Sequence, residues 1–314
     1  MIRSSEAISY ISHDLLEQSY AFCYNTMVKN SKSFTFASQY LSEEQKKSVG
    51  ALYAYCRFTD DIVDEVWLPD SIKAERLDKL EAQIRDLENL QFTGNPILYA
   101  LQDTVRKYDI PKKYLIELIE GVRMDLKINE YETVQQLDLY CYRVASIVGI
   151  LMCYIFGSTS EIALERAADL GRAMQITNIL RDISRDFEMG RIYLPRELRE
   201  KFNVTIDDLV LKEESQGLVD LIKHEINRAR EYYKLGKKGI IYLPDGADFT
   251  IEVASSVYAA ILDEIERMDY NVLNNRAFVS KPRKIWIAAK LKLKRFYFKT
   301  PMSVFHSDRG VELT

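Results

Sequence analysis

The segment Asn178-Ile179-Leu180-Arg181-Asp182-Ile183-Ser184-Arg185-Asp186 sets polar side chains along one face of an otherwise apolar helix. Asn178, Asp182 and Asp186 stand at i, i+4 and i+8, a ladder of oxygen-bearing side chains rising about 12 Å. Gln175 adds a rung one turn earlier, while Ala173, Met174, Ile176, Ile179, Leu180 and Ile183 flank the ladder. Carboxylates in such surroundings are costly unless something answers their charge. The ladder therefore predicts a helical bundle with a cavity onto which this face opens.

A second acidic face lies about 120 residues upstream, in Asp60-Asp61-Ile62-Val63-Asp64. Asp60 and Asp64 share one helix face at i and i+4, a spacing at which like charges destabilise an isolated helix. Tyr53 and Arg57 continue the stripe backwards by one and two turns. Two readings stand side by side. Arg57, Arg181 and Arg185 are placed to make ordinary surface salt bridges, or the carboxylates hold a divalent cation that bridges to a diphosphate. Two acidic segments, both on largely apolar helices, favour the second reading. Mg²⁺ suits few carboxylates together with phosphate oxygens and water.

Helical periodicity extends outward through residues 43–66, 72–90, 112–129, 134–156, 161–188, 216–237 and 250–274. No proline interrupts residues 112–194. Leu68-Pro69-Asp70, Thr93-Gly94-Asn95-Pro96 and Pro244-Asp245-Gly246 read as turns between helices. A chain of 314 residues suggests about two domains by length alone. No linker or repeat divides it, and both acidic faces must reach one cavity, so a single all-α domain over 1–314 is expected.

Composition narrows the chemistry. The three histidines (His13, His224, His306) and four cysteines (Cys23, Cys56, Cys141, Cys153) show no zinc-type spacing. No glycine-rich nucleotide loop is present among the 12 glycines. Any metal must then be held by oxygen, which favours Mg²⁺ with Mn²⁺ as the alternative. Arg3, Glu6, His13 and Asp14 break up any signal-like apolar run, and Val144–Phe156 is too short to cross a bilayer. Scattered cysteines fit a reduced, cytoplasmic setting.

A metal-held diphosphate is a leaving group, and the carbocation it leaves needs apolar, aromatic walls. The 20 tyrosines and 13 phenylalanines supply such surfaces, and Tyr140 and Tyr142 open an apolar helix. Lys32, Arg57 and Arg276 are candidates for the outer diphosphate oxygens, with Ser31 and Ser33 as hydroxyl donors beside Lys32.

These residues resemble the squalene/phytoene synthases, which join two prenyl diphosphates head to head. The resemblance spans roughly residues 20 to 280. It rests on Ser31-Lys32-Ser33-Phe34, the run from Tyr53 through Arg57 to Asp64, and Tyr140-Cys141-Tyr142-Arg143-Val144-Ala145. It rests equally on Gln175 through Asp182 with Asp186, and on Gly190-Arg191-Ile192-Tyr193-Leu194-Pro195. It implies an isoprenoid synthase fold and Mg²⁺ held by Asp60 and Asp64 on one side and Asn178, Asp182 and Asp186 on the other. It places Arg57, Gln175, Arg181 and Arg276 with the diphosphates and Tyr140 near the reacting carbons. Tyr53, Asp125 and Tyr258 match less strongly. Two ionisations are implied, through a cyclopropylcarbinyl diphosphate whose proton goes to released diphosphate or Tyr140. A non-reductive outcome without NADPH is expected, as is the absence of a C-terminal membrane helix. Small residues at Ser38 and Gly50 favour geranylgeranyl over farnesyl tails, hence phytoene over dehydrosqualene or squalene. A head-to-tail synthase or terpene cyclase and a non-catalytic helical adaptor are the rival readings.

From Lys281 to Lys299 eight basic residues and no acidic ones are interleaved with Trp286, Phe296, Tyr297 and Phe298. This basic aromatic segment, 281–314, suits peripheral contact with an anionic membrane such as the inner face of the cell membrane. A solvated terminal helix is the alternative. The net charge of -4 gives no reason to expect nucleic acid, and no obligate protein partner is implied.

Overall fold

A computed structural model describes residues 4–90 and 94–299, with side chains described within residues 13–297. His306, Thr93 and residues 300–314 of the basic segment lie outside the described residues. The elements are α1 (Ser4–Asn30), α2 (Lys32–Ser38), α3 (Glu43–Asp64), α4 (Asp70–Arg85), α5 (Pro96–Lys107), α6 (Lys112–Met124) and α7 (Val134–Cys141). They continue with α8 (Ile147–Phe156), α9 (Glu161–Glu188), α10 (Arg196–Lys201), α11 (Ile206–Val210), α12 (Gln216–Lys237), α13 (Ala247–Arg267) and α14 (Lys281–Lys299). A π-helical turn, Tyr142–Ser146, joins α7 to α8. Among the described residues the only strand-like pairing is one bridge, Glu130 to Ile192.

Local chemistry sets the helix starts. Ser42 and Gln45 form a reciprocal capping box on α3, and Glu43 and Glu44 favour its positive N-terminal end. Ser160 caps α9, Ser215 caps α12, and Asn95 with Pro96 opens α5. The helix expected at 72–90 breaks at Asp86 into a short 3-10 turn, and the one expected at 250–274 stops at Arg267. Asp269 and Tyr270 follow with positive φ, which ends the helical path.

Helices α1 and α5 lie outside the segments expected from periodicity; α5 nonetheless buries a regular stripe of Ile97, Leu98, Leu101 and Thr104, whereas α1 has a blurred one. In α1 the buried stripe is Tyr20, Cys23 and Met27, while Phe22 and Val28 face outward and blur it. The run from Val134 to Phe156 is one continuous helical stretch, longer than Val144–Phe156 alone. By length and apolar composition it is able to cross a membrane, yet half of its most apolar window is buried inside the fold.

The core falls into two apolar clusters. One joins α9, α12 and α13; the other joins α1, α3, α4, α5, α6 and α8. Phe34 and Ile251 pack against both. A cavity of about 310 Å³ lies between the clusters. Its walls are i, i+3, i+4 stripes: Val49, Leu52, Tyr53, Cys56, Arg57 and Asp60 on α3, and Val148, Gly149, Met152, Cys153 and Phe156 on α8. On α9 the stripe runs from Ala163 to Asn178, about 22 Å of helix. The stripe on α3 also ends in its polar residues, so one end of the cavity is charged and the rest is largely apolar, with Ser38 and Thr250 contributing hydroxyls.

Glycines let the walls close. A Cβ on Gly149 would press into the Ala167 carbonyl, and one on Gly171 into the Ala145 carbonyl. Gly171→Ala is therefore expected to cost about 1–3 kcal/mol through overpacking, measured by urea unfolding. An unchanged midpoint would show that α9 does not approach the π turn this closely.

Candidate active site

The acidic residues converge at the C-terminal ends of α3 and α9. Asp64 is the last residue of α3, and Asp186 sits in the last turn of α9. Helix C-termini carry partial negative charge, so both carboxylates stand where the backbone already disfavours them. Asp125, which caps α6, lies between the two groups and interacts electrostatically with Asp60 and Asp186.

The consequences show in the protonation equilibria. Burial first, then Asp64 and Asp125, push Asp60 up to about 8. Burial and Asp182 raise Asp186 to about 7. Burial raises Asp125 to about 6, although Arg191 and two tyrosine hydroxyls oppose it. Asp182 goes the other way: burial would raise it, but Arg181 and Arg276 outweigh that and lower it. Arg276 Nε reaches Asp182 Oδ1 at 2.6 Å, and Arg181 Nε reaches both carboxylate oxygens at 3.0 and 3.1 Å.

The ladder is thus not uniform. Asn178 lines the cavity, Asp182 is clamped by two guanidiniums, and Asp186 turns toward Arg191. Asn178 Nδ2 donates to Gln175 Oε1 at 3.3 Å, but Asn178 Oδ1 is buried without a hydrogen-bond partner. Arg57 lines the cavity and pairs with the exposed Asp61.

Arg191 received no role from the sequence. Gly190, with φ of 77°, turns the chain back after α9, and Arg191 N–H bonds the Asp186 carbonyl at 2.8 Å. This delivers the guanidinium to Asp64 Oδ1 at 2.9 Å, with Asp125 and Asp186 also in its field. Asp125 accepts from Tyr193 Oη at 2.8 Å, and Tyr140 Oη lies 3.1 Å from both Asp125 and Tyr193. Tyr131 stacks on Tyr193 and meets Tyr140 at a tilt, and its own hydroxyl is buried and unpartnered. Tyr140 is therefore fixed among acids and phenols beside the π turn and is not one of the residues lining the cavity.

Aromatic rings surround the cavity beside Asp60. Phe34 packs against Tyr258 with centroids 5.3 Å apart and meets Tyr53 edge-on at 6.1 Å. Ser31 caps α2 by accepting from Phe34 N–H, and Ser33 Oγ accepts from Lys284 Nζ at 3.0 Å. Lys284, on α14, is buried without a carboxylate partner among the described residues; burial and then Lys32 lower its pKa. It is a second residue that sequence reading missed. Its signal is the position of a lysine on the docked face of a basic helix. Ser38 lines the cavity, whereas Gly50 packs against the backbone of Tyr24 on α1 and does not shape the cavity wall.

Among the described residues no three histidine, cysteine or acidic side chains form a ready-made metal cage. The donors nonetheless fit a hard divalent cation that takes its remaining ligands from phosphate and water. They are all oxygen, one is a buried orphan, and two carboxylates are held against like charge.

Comparison with known proteins gives the family and the fold. Residues 27–283 match the model of the squalene/phytoene synthase family, and the chain belongs to that family, a group of prenyltransferases that generally use divalent metal. A 15-cis-phytoene synthase from Synechocystis sp. is 35% identical, the match covering 88% of this chain and 87% of the relative. A phytoene synthase from Arthrospira platensis is 36% identical over 85% of this chain and 90% of its own. The crystal structure of a dehydrosqualene synthase superposes with a TM-score of 0.83 at 29% identity, over 91% of this chain and 99% of the other. The fold is the all-α isoprenoid synthase fold, as the sequence suggested.

A pH prediction follows. Asp60, Asp186 and Asp125 have an unfolded value near 3.8 and folded values raised to about 8, 7 and 6. Between these limits the folded state binds more protons, so stability falls as pH rises. The thermal midpoint in EDTA should drop from pH 5 to pH 8, and Asp60→Asn should raise it at pH 8. A flat profile, or a lower midpoint for Asp60→Asn, would count against a crowded acid site.

Proposed function

We propose that the chain condenses two geranylgeranyl diphosphates head to head into 15-cis-phytoene, in the manner of its cyanobacterial relatives. The observation that carries this reading is the cavity itself. It is acidic and oxygen-rich at one end, ringed by aromatics just below, and largely apolar for the rest of its length. The whole chain acts as one isoprenoid synthase domain in this reading.

Asp60, Asp64, Asn178, Asp182 and Asp186 would hold Mg²⁺ together with substrate diphosphate. The bound cation would offset the negative charge that grows on the leaving diphosphate. Arg181 and Arg276 keep Asp182 ionised and oriented, so it needs no proton loss before use. Arg191 serves as the resident counter-charge of Asp64 when the site is empty of cations. Lys284, Lys32 and Ser33 are placed to take outer diphosphate oxygens, with Arg57 and Gln175 nearer the cavity. Phe34, Tyr53 and Tyr258 present ring faces to the allylic cation without adding to it. The apolar stripes of α8 and α9 exclude the water that would quench it. Tyr140, Tyr193 and Asp125 form a hydrogen-bonded set that can hold a proton at the acidic end of the site, behind the cavity wall. The reaction takes no hydride from a nicotinamide, and the setting is the cytoplasmic face of an anionic membrane.

A farnesyl-based reading has one supporting observation, the close superposition on a dehydrosqualene synthase. Ser38 favours the longer tail: it is small, buried and in the cavity wall.

Purified protein with Mg²⁺ and geranylgeranyl diphosphate should yield a forty-carbon product of phytoene mass, unchanged by NADPH. A thirty-carbon product formed in preference from farnesyl diphosphate would establish the second reading. Asp60→Ala or Asp182→Ala should abolish turnover with helicity intact; activity in both would remove the metal assignment. Ser38→Phe should lower kcat/KM for geranylgeranyl relative to farnesyl diphosphate at least about tenfold, the scale of a pocket contact.

A further inference from the structure

Helix α14 has two faces, and only one is accounted for by the fold. Its inner face docks on α13 through Ile287, Ala288 and Leu291. Arg283 clamps Asp263 and Glu264, and Arg295 clamps Asp248 and Glu252. Arg295 also lies over the Phe249 ring. These contacts fix the helix roll, so the orientation of the other face is set by structure.

The outer face is apolar at its centre and basic at its edges. Ile285, Trp286, Leu293, Phe296 and Tyr297 are all more than half exposed. At 100° per residue, Trp286, Leu293 and Tyr297 fall opposite the docked face, with Ile285 and Phe296 toward one side. Lys290 and Lys294 line one margin of this stripe, and Lys281 and Lys292 the other. None of these four lysines has a carboxylate partner among the described residues, and Lys290 lies over the Trp286 ring.

We propose that this outer face of α14 is a membrane-docking surface that lies in the plane of an anionic bilayer. The inference deepens the proposed membrane setting and rests on it for its biological sense. The chemistry is that of an interfacial helix. Aromatics enter the headgroup layer, and lysines on both margins snorkel outward to lipid phosphates. Charge decides between occupants. A second copy docked about a two-fold axis would set these lysines against their own copies, whereas anionic lipid answers them on both sides. The same helix carries Lys284 to Ser33, so docking would hold the bilayer beside the helix that completes the anion-binding end of the site.

The test is co-sedimentation of the full chain with vesicles of phosphatidylglycerol in phosphatidylcholine, against pure phosphatidylcholine, at low and high salt. Binding should require phosphatidylglycerol and weaken with salt. Lys290→Gln/Lys294→Gln should lower the partition coefficient about thirtyfold, and Trp286→Ser/Leu293→Ser should also lose binding, with thermal midpoints held. Equal binding to both vesicle types, no binding, or variants that bind like the parent would overturn the proposal. So would a concentration-dependent dimer that Trp286→Ser/Leu293→Ser dissolves. Turnover of detergent-dispersed geranylgeranyl diphosphate should be unchanged in both variants; loss there would make the face part of the catalytic fold. Failure of the parent in that detergent assay would refute the reaction reading and leave the vesicle result standing.

Discussion

The structure is organised around a concentration of negative charge that the chain itself does not neutralise. Five aspartates gather where α3 and α9 end, and the helix termini add to the charge. Asp182 has two arginines, while Arg191 is shared among Asp64, Asp125 and Asp186. Among the described residues Asp60 has Arg57 nearby, and that guanidinium is engaged by Asp61. A fold with this arrangement gives up stability at neutral pH, a cost that the proposed cation binding would offset. The extensive apolar packing of α9 against α12 and α8 is what makes that cost tolerable.

The same two helices that gather the charge also shape the apolar chamber. On α3 one stripe runs unbroken from Val49 to Asp60, and on α9 from Ala163 to Asn178. A helix cannot rotate one end of such a stripe without the other, so the acids and the cavity walls are positioned by the same roll angle. Gly149 and Gly171 let α8 and the π turn seat against α9 at backbone distance, which fixes that roll. A ligand with a charged head and a long apolar tail is the shape that satisfies both ends at once.

Those stripes explain why so much was legible from residues alone. Oxygen-bearing side chains at i, i+4 and i+8 on an apolar helix, two of them carboxylates, are unusual enough to imply a cavity and two opposed motifs. The all-α class followed from helical periodicity in 112–129, 134–156 and 161–188 with no proline between them. What the pattern could not convey was pairing across distance. Arg191 looks like a loop residue until Gly190 turns it back onto Asp64, and Lys284 looks like one of eight basic residues until α14 docks. Tyr140 was expected beside the reacting carbons, yet its hydroxyl is set against Asp125 and Tyr193, outside the lining of the cavity. Gly50 was expected in the cavity wall, yet α1 packs over it. In each case the decisive fact is which neighbour covers a face, and periodicity is silent on that.

The acid array and the cavity wall therefore carry different kinds of information. In the proposed reading the aspartates respond to the diphosphate head of the substrate, which is identical for tails of any length. The chain superposes on a dehydrosqualene synthase while matching phytoene synthases in sequence. Selection by length has to occur where tails end or bend, among side chains whose only property is bulk. Ser38 is buried in the cavity wall on the short helix that also carries Phe34, one turn away. A larger side chain there would take space from the tail without touching the aspartates, so product length can vary in this fold while the ionising end stays unchanged.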